Sequence, residues 1–169
     1  MSYSGGFKQD NQPASATKKT VIADIPKGKI ITVEPGQLIM DAIKQAQPGD
    51  TVRVMPGRYS ETVYIDKDHI RLIGVIQQGE RATLDGNRIL NDAILYSGNN
   101  IVVENFLITK YKGNGIMGQA GNNFEIRNNI IVDTGVYGIF PQLGKNGIVE
   151  HNVISGIEDA AIYVGMSEN

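Results

Sequence analysis

From residue 101 onward the chain repeats itself without a gap. Cut after Asn100, it gives three units of 23 residues: IVVENFLITKYKGNGIMGQAGNN (101–123), FEIRNNIIVDTGVYGIFPQLGKN (124–146) and GIVEHNVISGIEDAAIYVGMSEN (147–169). Position 3 of the unit is Val103, Ile126 and Val149. Position 8 is Ile108, Ile131 and Ile154, and position 16 is Ile116, Ile139 and Ile162; Ile101 and Phe124 share position 1. A fixed period with aliphatic columns needs a fold in which each unit lies on the one before it. Equivalent side chains then stack one strand spacing apart, about 4.8 Å. Two polar columns agree: Asn100, Asn123, Asn146 and Asn169 close successive units, and Asn129 lies over Asn152 at position 6, where the first unit has Phe106. Asn tolerates left-handed backbone and bonds neighbouring turns, so position 6 is read as the tight corner between two strands.

Upstream, the segments TVRVM, TVYI, IRLIG, AILY, IVVEN and FLIT are short and rich in Ile and Val, and no helix separates them after Asp50. A doubly wound parallel sheet needs helical crossovers and is excluded by that pattern. DTVRV, TVYI, IRLIG and ATLDG fit earlier rungs with irregular loops. One helix is expected, QLIMDAIKQAQ, between Pro35-Gly36 and Pro48-Gly49, with Leu38, Ile39, Ala42, Ile43 and Ala46 on one face. Such a stripe must cover something, and the first rung is the expected partner. VIAD and KIITV read as two strands before it. Residues 1–20 have almost nothing apolar to bury and read as a disordered leader; residues 21–169 form one domain, with a cap over about 21–49 and rungs over about 50–169. The far end lacks an amphipathic segment to cover Val149, Ile154, Ile162 and Val164. Further C-terminal rungs or end-to-end self-association are therefore expected.

Composition narrows the partners. A formal net charge of −2 gives no basic field for nucleic acid. The sequence has no cysteine, which removes disulfides and thiolate metal sites, and its two histidines do not make a multi-His site. No cofactor and no metal are expected. Neither an 18-residue apolar run nor a signal-type apolar segment is present, so no membrane insertion is expected. Twenty glycines with no Trp and four Phe imply many tight turns.

These features resemble the right-handed parallel β-helix repeat proteins of the pectin lyase-like superfamily. QLIMDAIKQAQPGDTVRVMPGRYSETVYIDKDHIRLIG is similar to that group's N-terminal signature: a capping helix, a PGD turn, a first strand and a PGxYxE segment. NNII and HNVI resemble its generic repeats. The resemblance implies an all-β solenoid with three strands per rung and an N-terminal capping helix. It further implies an extracytoplasmic setting, periplasmic or extracellular, and polysaccharide ligands. The activities it implies are those of a polysaccharide lyase, an epimerase or a glycoside hydrolase. Those enzymes' motifs are not found: GHG and RIK, a calcium-binding Asp cluster, and DPH are all absent, and Asp68-His69 lacks the proline. The expected function is a polysaccharide-binding or polysaccharide-processing module preferring acidic glycans. The alternative is a non-catalytic structural or interaction solenoid such as a surface repeat or spike.

The candidate side chains divide between chemistry and architecture. Glu104, Arg127 and Glu150 share position 4 with alternating sign, as a charge ladder or, at Arg127, as a planar fork for a uronate carboxylate. Asp133, Glu158 and Asp159 are the carboxylates available for acid–base work, or ordinary loop acids. His151 at position 5 is a corner residue, or a general acid or base if a partner is within reach. Met117, Phe140 and Tyr163 at position 17 follow an inward Ile and therefore face outward, with Tyr137 in the loop before them. They make a packing surface or a row for sugar stacking.

Overall fold

The computed structural model describes residues 28–166. The elements are β1 (Ile30–Val33), α1 (Ile39–Gln45), β2 (Thr51–Val54), β3 (Gly57–Tyr59), β4 (Val63–Ile65), β5 (Arg71–Gly74), β6 (Ile76–Gln77), β7 (Glu80–Asp85) and β8 (Ile94–Tyr96). The repeat units follow: β9 (Val102–Glu104), β10 (Leu107–Thr109), β11 (Ile116–Gly118), β12 (Glu125–Arg127), β13 (Ile130–Val132), β14 (Tyr137–Pro141), β15 (Ile148–Glu150), β16 (Val153–Ser155) and β17 (Ala160–Ile162). The leader and the VIAD strand expected from sequence lie outside the described residues.

Each rung gives one strand to each of three parallel sheets. The first sheet runs β1-β2-β5-β9-β12-β15, the second β16-β13-β10-β7-β3 and the third β17-β14-β11-β8-β4. The result is a right-handed parallel β-helix with a small antiparallel hairpin, β6 on β7, projecting from one rung. The aliphatic columns stack in the register expected. Val103 pairs with Ile126 and Ile126 with Val149, while Ile108 lies between Leu84 and Ile131. Ile94, Ile116, Ile139 and Ile162 line the third sheet in succession. Most of these side chains are fully buried, each contributing about 1.5–3 kcal/mol. GRY, not expected as a strand, forms β3. Its Tyr59 is buried with its hydroxyl donating to the Met55 carbonyl at 2.8 Å, and that packing overrides the low strand propensity of glycine.

The corners differ from expectation in one respect. The left-handed residues are at position 5 (Asn105, Asn128 and His151, φ 71°, 54° and 55°), not position 6. Position 10 (Lys110, Asp133 and Gly156) and position 23 (Asn100, Asn123 and Asn146) turn the other two corners the same way. Position 6 instead sends its side chain inward. Asn129 Oδ1 accepts from the Phe106 N–H at 3.0 Å, and its Nδ2 donates to the Val103 carbonyl at 3.2 Å and to Asn152 Oδ1 at 3.1 Å. Asn152 repeats the pattern one rung on, accepting from the Asn129 N–H and donating to the Ile126 carbonyl. A buried amide column thus serves backbone groups that the turn takes out of the sheet. Phe106, where the column ends, fills the core.

Helix α1 closes the N-terminal end. Ile39, Ala42, Ile43 and Ala46 are buried, whereas Leu38 precedes the first turn and is 54% exposed. The seven-residue helix is thus shorter than its apolar pattern and excludes Leu38 from the stripe. Side chains flanking β4 hold both ends. Glu61 accepts the N–H groups of Ile39 and Met40 at 2.8 and 2.9 Å, and Lys67 Nζ donates to the carbonyls of Ile43, Lys44 and Ala46 at 3.1, 2.7 and 2.8 Å. An anion at the start and a cation at the end also complement the helix dipole. This gives the PGRYSE segment a physical reading, because its Glu61 is the cap of a helix some twenty residues earlier. The PGD turn has one too: Asp50 is buried and accepts from the N–H groups of Lys29 and Gln47 at 2.9 and 2.8 Å. At the other end the inward column is open among the described residues, with Ile162 47% and Val164 62% exposed.

Three stability outcomes follow from these contacts. Glu61→Ala strands two helix N–H groups and should cost about 1–2 kcal/mol in urea unfolding. Asn129→Ala orphans the buried Phe106 N–H and should cost on the order of 1–3 kcal/mol or more. The buried Tyr96 hydroxyl has no hydrogen-bond partner among the described residues, so Tyr96→Phe should leave the melting temperature unchanged or raise it.

Candidate functional site

The period-two alternation of the third sheet decides which side chains it offers outward. In β4, β8 and β11 the outer residues of each strand are buried and the central one is partly exposed. Those central residues are Tyr64, Leu95 and Met117, paired in turn and continued by Phe140. Tyr163 follows one rung on, its N–H bonded to the Ile139 carbonyl at 3.0 Å. Five rungs therefore present a row about 19 Å long at strand spacing. Tyr64 and Leu95 were not anticipated. Their rungs have irregular loops that hide position 17, although the alternation in VYI and ILY carries the signal.

Tyr137 belongs to this row, as the first residue of β14 rather than a loop residue. Its ring stacks on Tyr163 with centroids 5.0 Å apart and 15° between planes, and it meets Phe140 at 4.9 Å. Phe140 and Tyr163 are 5.3 Å apart. Partial removal from water raises the Tyr137 hydroxyl above its ordinary pKa, and the nearby Asp159 carboxylate, hydrogen-bonded to it, and Tyr163 add to the effect. A phenol is protonated at neutral pH in any case, and the Asp159 carboxylate beside it favours that form further.

The other candidates are dispersed. Glu158 and Asp159 are neighbours in sequence whose side chains part. Asp159 reaches Tyr137, while Glu158 lines a cavity of about 130 Å³ with Arg88, Tyr111, Lys112, Asp133 and Gly135. Asp133 in that cavity is a left-handed corner residue, and Arg88 Nη2 lies 2.6 Å from its Oδ2. His151 is an exposed left-handed corner residue with no hydrogen bond among the described residues. Arg127 is on the first sheet, so the structure does not bring it together with the aromatic row. Its Nη2 lies 2.9 Å from Glu125 Oε2 and its Nε 3.0 Å from Glu150 Oε1. The second contact is a charge contact only, because the Nε–H is not aimed at the oxygen. Glu104 stacks above Arg127 in register but accepts from Asn128 Nδ2 at 3.1 Å. Among the described residues no group of three or more His, Asp or Glu could hold a metal ion. Since Arg127 is partly exposed, Arg127→Ala should lower stability by only about 0.2–1 kcal/mol, and denaturation at high salt should show a smaller loss than at low salt.

No curated protein sequence matches the chain. Among solved structures, the A-module of the Azotobacter vinelandii mannuronan C-5 epimerase AlgE4 aligns with a TM-score of 0.51 at 14% identity. The alignment covers 83% of this chain and 48% of that one, so the chain spans about half the length of the module, and at this identity the likeness is one of fold. No helix is long and apolar enough to cross a membrane among the described residues. The family model described as the right handed beta helix region matches residues 60–169, well over half of the sequence, and with the three-sheet solenoid this places the chain in the right-handed β-helix family.

Proposed function

We propose that the chain is a polysaccharide-binding β-helix module whose binding face is the outer surface of the third sheet. The row Tyr64, Leu95, Met117, Phe140 and Tyr163, with Tyr137 beside it, is the observation that carries this reading. Aromatic and thioether faces in a straight line give area to successive sugar rings, while the Tyr hydroxyls give polar contacts at the edges. A rung spacing of about 4.8 Å is close to the length of one pyranose residue, which favours a linear polymer lying along the solenoid axis. The fold shared with a mannuronan epimerase module supports a polysaccharide as the ligand class.

A second reading, polysaccharide processing, is favoured by the Tyr137–Asp159 contact, which sets a protonated phenol and a carboxylate side by side in that row. Asp133, Glu158 and His151 lie apart from it and have no role in this reading. A structural solenoid without ligand is the remaining competitor, and it predicts no glycan uptake.

Calorimetric titration with neutral and uronate oligosaccharides tests the binding reading. Tyr163→Ala and Phe140→Ala should each weaken binding about tenfold, roughly 1.4 kcal/mol, with the fold retained because both side chains face outward. Unchanged affinity in both variants would remove the face. Release of unsaturated uronate, or altered C5 stereochemistry, lost in Asp159→Asn, would establish processing.

A further inference from the structure

The first sheet carries a groove that none of the candidate residues named from sequence explains. It has a volume of about 570 Å³ and runs along the corner between the third and first sheets. One wall is the corner column Gly49, His69, Asn100 and Asn123, and the floor is the outward column Ile30, Thr51, Arg71, Val102 and Glu125, one residue per rung. Gly28 and Gly49 bare the wall at the N-terminal end. Val102 gives the floor an apolar centre.

The polar groups of this groove are unevenly occupied. The Glu125 carboxylate lies 2.9 Å from Arg127, which it shares with Glu150, and Asn123 Nδ2 donates to Asn100 Oδ1 at 3.1 Å. The corner backbone is spent as well: the N–H groups of Gly49, His69, Asn100 and Asn123 donate to the carbonyls of His69, Asn99, Asn122 and Lys145. What remains without a side-chain partner, among the described residues, is the Arg71 guanidinium, the His69 imidazole, the Asn100 Nδ2 and the Thr51 hydroxyl. Arg71 and Glu125 lie on either side of the Val102 rung, about 10 Å apart along the sheet, and are not paired among the described residues. Four free polar groups, one of them a permanent planar cation, line an open groove whose only acid, Glu125, lies against Arg127.

We propose that this groove is a second glycan subsite, distinct from the aromatic row, that reads a uronate carboxylate through Arg71 while Asn100 and His69 bond the ring hydroxyls. The proposal rests on the reading of the chain as a polysaccharide-binding module and gives its preference for acidic glycans a residue, in place of Arg127, which is paired with Glu125 and Glu150. A guanidinium makes a bidentate contact with a carboxylate that a neutral sugar cannot match. The spacing separates a glycan from an acidic peptide. An extended peptide repeats same-face side chains every 6.6 Å or so and gains affinity from backbone pairing; this groove offers side-chain donors at rung spacing and a wall whose main-chain N–H groups are already used.

The test compares polygalacturonate oligomers with carboxyl-reduced oligomers of equal length by calorimetry, on the full chain. The wild type should bind the uronate form about tenfold more tightly. Arg71→Ala should bring the two affinities together while leaving the neutral one unchanged, Arg71→Lys should restore part of the difference, and Asn100→Asp, which keeps the left-handed corner, should weaken the uronate form selectively. Tyr163→Ala should weaken both forms and preserve their ratio. Arg71 is exposed on a strand surface, and unchanged circular dichroism and melting will establish that its variants are folded. An unaltered ratio in Arg71→Ala overturns the groove alone. Polyglutamate binding the wild type as tightly as the uronate and displacing it overturns the glycan assignment of the groove. Failure of the wild type to bind either oligomer overturns the module reading with it.

Discussion

A chain that turns three corners in every rung must find partners for the backbone groups that leave the sheets at each bend. In this solenoid the solution is a left-handed residue at each corner together with amide side chains that follow the axis. Asn129 and Asn152 run inside, and Asn100, Asn123 and Asn146 run outside, with the Nδ2 of Asn123 and of Asn146 donating to the Oδ1 of the rung before. Asp68, Asn99 and Asn122 form another such column, the side-chain oxygens of Asp68 and Asn99 taking the N–H of the next rung, and Asp92 with Asn114 a fourth. The aliphatic ladders supply the driving force for burial, but they are nondirectional. It is the amide columns that fix where each strand stops and hence which side chains point in.

That division explains what was legible in the sequence. Stacked Ile and Val at positions 3, 8 and 16 reveal themselves because a one-strand displacement repeats both environment and residue type. Asn at positions 6 and 23 is equally visible, yet its two tasks are not separable from residue identity: Asn123 bends the chain, whereas Asn129 serves the bend made by Asn128. Earlier rungs have loops of unequal length, and so Tyr64 and Leu95 are aligned with Met117 only in space. Leu38 misleads because the helical period continues past the residue at which Glu61 sets the first turn. The partner of a charged side chain is the least legible property, since Arg127 and Arg71 look alike in sequence and differ only in what the neighbouring rungs place beside them.

The outer faces acquire different chemistry from the same geometry. On the third sheet, position 17 accumulates rings that touch one another, a surface suited to the flat faces of sugars. On the first sheet the one cation at positions 2 and 4 of the repeat units, Arg127, is held between Glu125 and Glu150. A cation on this face is available to a ligand only where no acid is paired with it. Fold resemblance to an epimerase module does not distinguish these faces; the side chains that each presents do.

The manner in which α1 is fastened bears on how the chain assembles. Glu61 and Lys67 reach the helix across sequence separations of 21 to 24 residues, and the amide columns bridge separations of 22 to 31. Contacts of nearly constant span mean that loop closure is charged once per rung and never across the whole molecule. A nascent chain can therefore seal its first turn as soon as β4 and Lys67 have been synthesised, and then accrete one turn at a time upon that template. Damage near the start would disable the template itself, whereas damage to a late rung would leave the earlier turns standing, so proteolytic survival of partial products should follow the direction of synthesis.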